Sequence, residues 1–267
     1  MTSFDVVNEI SHLFGIKKVG HTGTLDPLAE GVLIVCIGKA TKIVELLTAK
    51  DKEYVAGVKL GIKTDSYDIT GNVLDTKEVI EITNLEEVIS SFKKTYLQEV
   101  PIYSAVKVDG KKLYEYARNK KEVELPKKEV TIKEIELLSK EKDTFTIKTL
   151  VSKGTYIRSL INDIGIELNT YATMTSLKRT KQGKVTIDEA YKLSDIRDNN
   201  FKIYRIEETL EYPVVKVNEE LEYKITNGVK LDNAFDIKDK VIFVNKDDKL
   251  LGIYENDNDK LKVWKNF

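Results

Sequence analysis

Apolar residues recur at helical spacing in several stretches of the chain. From Ser3, a residue type suited to capping a helix start, Phe4, Val7, Ile10 and Phe14 fall on one face, and Gly15 follows. Ala40, Ile43, Val44 and Leu47 mark a second amphipathic helix. Thr83-Asn84-Leu85-Glu86 reads as a capping box opening a helix with Leu85, Val88, Ile89 and Phe92 toward a core. A helix is predicted over 112–118. Another follows Lys153-Gly154-Thr155, with Ile157, Leu160, Ile161, Ile164 and Leu168 on its inner face. Alternation predicts strands at Tyr54 to Leu60, at 129–137, at 144–151 and from Tyr171 to Arg179. The unbroken run Val32-Leu33-Ile34-Val35-Cys36 has the composition of a strand buried on both faces.

Helices and strands interleave irregularly, which predicts an α+β fold with a mixed, mostly antiparallel sheet and flanking helices. The pattern changes near Tyr212-Pro213. Beyond it lie short strands at Val214 to Val217, Val241 to Val244, Leu250 to Tyr254 and Leu261 to Trp264, with an Asn227-Gly228 turn among them. That spacing predicts a small β-barrel or sandwich. The expected domains are therefore 1–210 and 211–267.

Composition narrows the picture. The chain has 267 residues, 41% hydrophobic and 33% charged, which suits a globular protein with a sizeable core. No apolar run approaches the roughly 20 residues that span a bilayer, and the first residues lack a secretory pattern. A single cysteine excludes an internal disulfide, so Cys36 is expected to be a buried thiol in a reducing cytosol. Two histidines and one cysteine do not make a zinc or iron–sulfur site, and no phosphate-binding glycine motif suggests a nucleotide cofactor. Net charge is −1, yet its distribution is uneven. Lys178 to Lys184 carries four cations and no acid, and six cations outnumber two acids between Lys107 and Lys121. Such segments suit a phosphate-rich ligand.

The richest stretch is His21-Thr22-Gly23-Thr24-Leu25-Asp26-Pro27-Leu28-Ala29-Glu30-Gly31. Glycines flank it, Pro27 fixes its own φ, and Asp26 is pushed toward an extended backbone. An acid on a stiff loop at a sheet edge is a common way to present a catalytic group. Further islands are Thr64-Asp65-Ser66-Tyr67-Asp68, Tyr103-Ser104-Ala105-Val106-Lys107 and Ser152-Lys153-Gly154-Thr155-Tyr156-Ile157-Arg158.

Together these islands resemble, in order and from Thr2 to about Gly183, the TruB family of tRNA pseudouridine synthases. The resemblance implies the pseudouridine synthase fold, a C-terminal domain similar to small PUA-type RNA-binding modules, and modification of uridine 55 in the tRNA T-loop. It implies Asp26 as nucleophile and Arg158 as the arginine that pairs with it. It casts Tyr54 as the tyrosine that stacks on the uracil and can take the proton from C5. His21 would fill the gap left by the extruded base, with Tyr156 and Leu177 lining the uridine pocket. Thr22, Gly23, Lys107 and Arg179 complete the expected RNA-facing set. Such enzymes carry a strand and a Lys-Pro-x-Gly turn before the residues that match Thr2-Ser3-Phe4-Asp5, whereas this sequence opens at Met1.

The residues suit that chemistry. Moving the uracil bond from N1 to C5 is redox-neutral, so a carboxylate can do it through a covalent adduct to sugar or base without metal or cofactor. In a dry pocket that carboxylate needs a nearby cation to stay ionised. A base inside a folded loop must be flipped out and stacked. The expectation is a cytoplasmic monomer acting on tRNA. A rival is an RNA-binding chaperone that keeps the fold without the activity. A glycoside hydrolase pairing Asp26 with Asp65 or Asp68 would leave the tyrosine and basic islands unexplained.

Overall fold

The computed structural model describes residues 1–79 and 82–267. The fold is α+β, and the chain forms two compact units. The first comprises 1–3, 23–34 and 48–190, and the second 4–22, 35–47 and 191–267.

A seven-stranded sheet organises the first unit. Its strands are β1 (Ala29–Gly31), β2 (Lys52–Leu60), β3 (Thr95–Glu99), β4 (Lys127–Lys140), β5 (Thr144–Val151), β6 (Ala172–Gln182) and β7 (Val185–Thr186). The order is β7-β6-β2-β5-β4-β3, with β1 added to β6. All neighbours pair antiparallel except β1, which runs parallel to β6. In β2 and β5 every second residue is buried, the period-2 signature of a sheet packed on one face. Helices α1 (Leu85–Ser91), α2 (Leu113–Arg118) and α3 (Ile157–Glu167) belong to this unit. Ile157, Leu160, Ile161 and Ile164 of α3 join Ala56, Val58, Phe145, Ile147 and Met174 in one apolar cluster. Each buried aliphatic side chain contributes about 1.5–3 kcal/mol of burial free energy, so this cluster fixes where the ends of β2, β6 and α3 lie. Helix α1 begins at Leu85 after Asn84, but no side chain caps it, so the expected capping box is not made.

In the second unit, 4–22, 35–47 and 191–210 join the C-terminal residues. The helix Ser3–Phe14 lies where the periodicity places it. Ala40 to Leu47 forms a 3-10 turn, Gly38–Ile43, that runs into the helix Val44–Thr48. The expected strand at 32–36 is corrected. Only Val35–Ile37 is a strand, paired with Val19–His21, and 32–34 is irregular. Val32 and Cys36 are the buried residues of that run. Burial raises the Cys36 thiol to about 11, which keeps it protonated.

Five strands follow near the C-terminus, in the order Val214–Lys216, Lys240–Val244, Leu250–Asp257, Lys260–Asn266, Leu231–Asp232. Where turns were expected between the first two, the chain forms the helix Glu219–Thr226. Asn218 Oδ1 accepts from Leu221 N–H at 3.0 Å, and Ile225 is fully buried on its inner face. Its apolar positions, Leu221 and Ile225, are too few for periodicity to reveal it.

Candidate active site

Arg158 is the hub of the first unit's chemistry. It lies in the first turn of α3, after Tyr156, whose extended backbone leads into the helix. Its side chain is 4% exposed. Nε donates to Asp26 Oδ2 at 2.8 Å and Nη2 to Asp26 Oδ1 at 3.0 Å, a two-pronged pairing that fixes the carboxylate's plane as well as its position. The remaining donors reach main-chain carbonyls. Nη1 donates to Ser66 O and Nη2 to Tyr103 O, both at 3.1 Å. Asp68 Oδ2 stands 4.0 Å from Nε. One guanidinium thus gathers three of the islands around the helix that carries the fourth.

Each island has a local reason for its shape. Gly23 (φ +143°) and Gly31 (φ +105°) adopt angles that side chains resist, and they bracket the Asp26 loop. Asp26 O accepts from Ala29 N–H at 2.8 Å, which closes a turn around Pro27. Leu25 N–H donates to Ser3 Oγ at 2.9 Å. At the second island Tyr67 takes φ +62°. Ser66 Oγ and Thr70 N–H donate to Asp68 Oδ1, both at 3.0 Å, so the loop is knitted by its own acid. Tyr103 Oη donates to Asp65 Oδ2 at 3.2 Å, joining the second island to the third.

Asp26 keeps 34% of its side chain exposed, so a ligand can reach an acid whose partner is buried. Tyr54, on β2, is 8% exposed. Burial raises its phenol. The nearby Arg179 guanidinium and a hydrogen bond from it oppose that shift, and Asp26 adds to it. Tyr54 therefore senses both the acid and Arg179. Tyr156 is half-buried, with its phenol also raised by burial, and its N–H donates to Gln98 Oε1 at 2.8 Å. Leu177 is buried in the apolar cluster, beside which Leu28 and Ala29 pack.

His21 ends the strand Val19–His21, paired with Val35, and Thr22 is fully buried. Both belong to the second unit. Lys107 is exposed on a hairpin, Lys107–Val108 against Lys111–Lys112. Arg179 departs from its surface expectation. It is 1% exposed, while Lys178 beside it is exposed. Its guanidinium turns inward, with Nε donating to Val32 O at 2.6 Å and Nη2 to Gly23 O at 3.1 Å. Sequence reasoning marks out the 64–68 and 103–107 islands but assigns no role to Ser66 or Tyr103, and weighs Asp68 only as the second carboxylate of a glycoside hydrolase. Two of these act through carbonyls, which leave no side-chain signature. Among the described residues no group of three or more His, Cys, Asp or Glu could hold a metal, and no helix is long and apolar enough to cross a membrane.

Comparison with known proteins supplies the context. Residues 11–157 match the model of the TruB family pseudouridylate synthase N-terminal domain. Residues 158–221 match that of the tRNA pseudouridylate synthase B C-terminal domain. A tRNA pseudouridine synthase B of Fusobacterium nucleatum is 43% identical over 271 residues, covering 98% of this chain and 93% of the relative. The enzyme of the same name in Clostridium kluyveri is 41% identical, covering 100% and 96%. Among solved structures, one described as an H/ACA RNP bound to a substrate RNA containing 2'-deoxyuridine superposes with TM-score 0.74 at 24% identity, covering 100% of this chain and 81% of its counterpart. A Cbf5-Nop10-Gar1 complex gives the same TM-score at 25% identity and the same coverage. With a family model matched over more than half its length and relatives above 40% identity end to end, the chain belongs to the TruB family of pseudouridylate synthases.

Proposed function

We propose that this protein isomerises uridine to pseudouridine in tRNA, at uridine 55 of the T-loop, with Asp26 as the nucleophile. The observation that carries the reading is the two-pronged Arg158–Asp26 pair, buried on the arginine side and open on the acid side. An acid held this way is aligned for attack and needs no reorganisation when a ligand arrives.

The chemistry follows from that geometry. The target nucleotide is extruded from its loop, and Asp26 forms a covalent adduct to the sugar or the base. The N1–C1′ bond breaks, the uracil turns, C5 joins C1′, and the bond to Asp26 breaks to free the carboxylate. A proton then leaves C5 and N1 ends as N–H, so no electrons are gained or lost. Tyr54 offers a flat face, and base stacking on such a face contributes about 1–3 kcal/mol. Its buried phenol is protonated at rest. It takes the C5 proton only as its own proton passes to N1, and the nearby Arg179 cation lowers the cost of the phenolate between. Tyr156 and Leu177 border the pocket, and His21, Thr22 and Gly23 lie on the chain leading to Asp26. Exposed Lys107 and Lys178, with Lys181, engage phosphates. The five-stranded C-terminal domain adds RNA contacts. The protein works as a cytoplasmic monomer without metal or organic cofactor, since the isomerisation is redox-neutral and a carboxylate suffices as nucleophile.

Primer-extension mapping of pseudouridine in an unmodified tRNA transcript tests this directly. The expected result is modification at uridine 55. Conversion at another position would reject the site. Tight binding with no conversion would make the chain an RNA-binding module.

A further inference from the structure

A single residue closes both ends of the loop that carries Asp26. Arg179 Nη2 donates to Gly23 O at 3.1 Å, and Nε donates to Val32 O at 2.6 Å. The same residue's carbonyl accepts from Val32 N–H at 2.8 Å. Val32 is thus held through both its main-chain groups. Gly31 pairs with Arg179 in the parallel β1–β6 register, so closely that a Cβ on Gly31 would lie 2.2 Å from Arg179 O. The ten residues from Gly23 to Val32 are clasped at the neck, with Asp26 between the two holds. Arg179 also pairs directly with Tyr54 across the antiparallel β6–β2 ladder. Directly paired residues put their side chains on one face of a sheet. A register shift immediately follows Arg179, before Lys181 pairs with Glu53, and such bulges re-aim neighbouring side chains.

Burying a guanidinium is costly unless its donors are satisfied. Here carbonyls from the two ends of one loop and the Tyr54 hydroxyl accept from it, where water could have done so on a surface. A cation kept at 1% exposure cannot grip a phosphate.

We propose that Arg179 is a positioning residue for the reaction: its guanidinium sets where the Asp26 loop and the Tyr54 phenol stand, without touching RNA. This rests on the uridine isomerisation proposed above. The effect falls on the chemical step. A displacement of about 1 Å in a reacting group lowers a rate by about a hundredfold.

The test compares the full chain with Arg179→Met, which keeps much of the volume and loses every donor. It also uses Arg179→Lys, which keeps the charge and cannot reach both carbonyls. Melting temperature, Kd for a tRNA transcript and the single-turnover rate of pseudouridine formation are measured on each. Both variants are expected to bind tRNA within about threefold of wild type. The rate should fall about a hundredfold for Arg179→Met and about tenfold for Arg179→Lys. A raised Kd with an unchanged rate would assign Arg179 to RNA contact and overturn the proposal, as would unchanged rates in both. If neither variant folds, Arg179 builds the core and the proposal also falls. A wild-type chain that converts no uridine would strike the isomerase reading, whereas fast variants beside an active wild type strike only the role of Arg179.

Discussion

Two carboxylates, one paired with helix α3 and one on it, fare differently. Asp26 meets the Arg158 guanidinium through two hydrogen bonds. Asp163, five residues further along the helix from Arg158, is half-buried and accepts from the Tyr96 hydroxyl at 3.0 Å. That hydroxyl accepts in turn from Gln98 Nε2 at 2.8 Å, and Gln98 Oε1 accepts the Tyr156 N–H. Burial, with the nearby Glu99 carboxylate, pushes Asp163 up to about 6 despite the Tyr96 bond. A neutral hydroxyl does not replace a cation as partner to a buried acid. The helix thus gives one acid a guanidinium partner and leaves the other poised near neutrality beside a hydroxyl.

The largest effect comes from taking the cation from Asp26. Arg158→Met should slow single-turnover conversion about a thousandfold, near 4 kcal/mol of transition-state stabilisation. A rate within tenfold of wild type would mean that Asp26 needs no counter-charge. Tyr54→Phe keeps the stacking face and removes the oxygen. It should lower the rate about a hundredfold with Kd nearly unchanged, and a changed Kd at an unaltered rate would confine Tyr54 to binding.

The other side of the comparison is tested by stability against pH. A carboxyl raised on folding favours the folded state most below the unfolded value near 4, and that contribution disappears as pH rises through about 6. Asp163→Asn, which keeps an acceptor for Tyr96, cannot lose a proton. Relative to wild type it should gain about 1–2 kcal/mol between pH 4 and pH 7, allowing for partial solvent access. A flat difference in denaturant midpoints across that range would remove Asp163 as a titrating group. The smallest change concerns the surface. Reversing Lys178 and Lys181 to Glu should weaken tRNA binding and lower the salt slope by about one for each phosphate that is no longer neutralised. An unchanged slope would move the RNA path elsewhere.

Helices and central strands were legible because their apolar spacing is long and regular. β2 and β5 alternate over their whole lengths, and α3 repeats its inner positions over three turns. The Asp26–Arg158 pair was legible through motif order, although 132 residues separate the partners. The remainder was hidden for physical reasons. Residues 32–36 are uniformly apolar although only 35 and 36 lie in a strand, and periodicity cannot find a break inside a uniform run. Ser66 and Tyr103 contribute carbonyls, which every residue has. Arg179 lies in a basic stretch and reads as surface, and only its burial and its hydrogen bonds to Gly23 and Val32 show that it points inward. Asp163 sits on a helix that periodicity found, yet its raised acid depends on burial and on Glu99, which helical spacing does not place beside it.

The account's central claim is that the Asp26 carboxylate performs the chemistry while other groups hold the RNA. Its most direct test is Asp26→Asn, nearly identical in shape, assayed with an unmodified tRNA transcript for both pseudouridine and Kd. The account predicts no detectable pseudouridine and a Kd within a few-fold of wild type. Pseudouridine accumulating at the wild-type rate would contradict it.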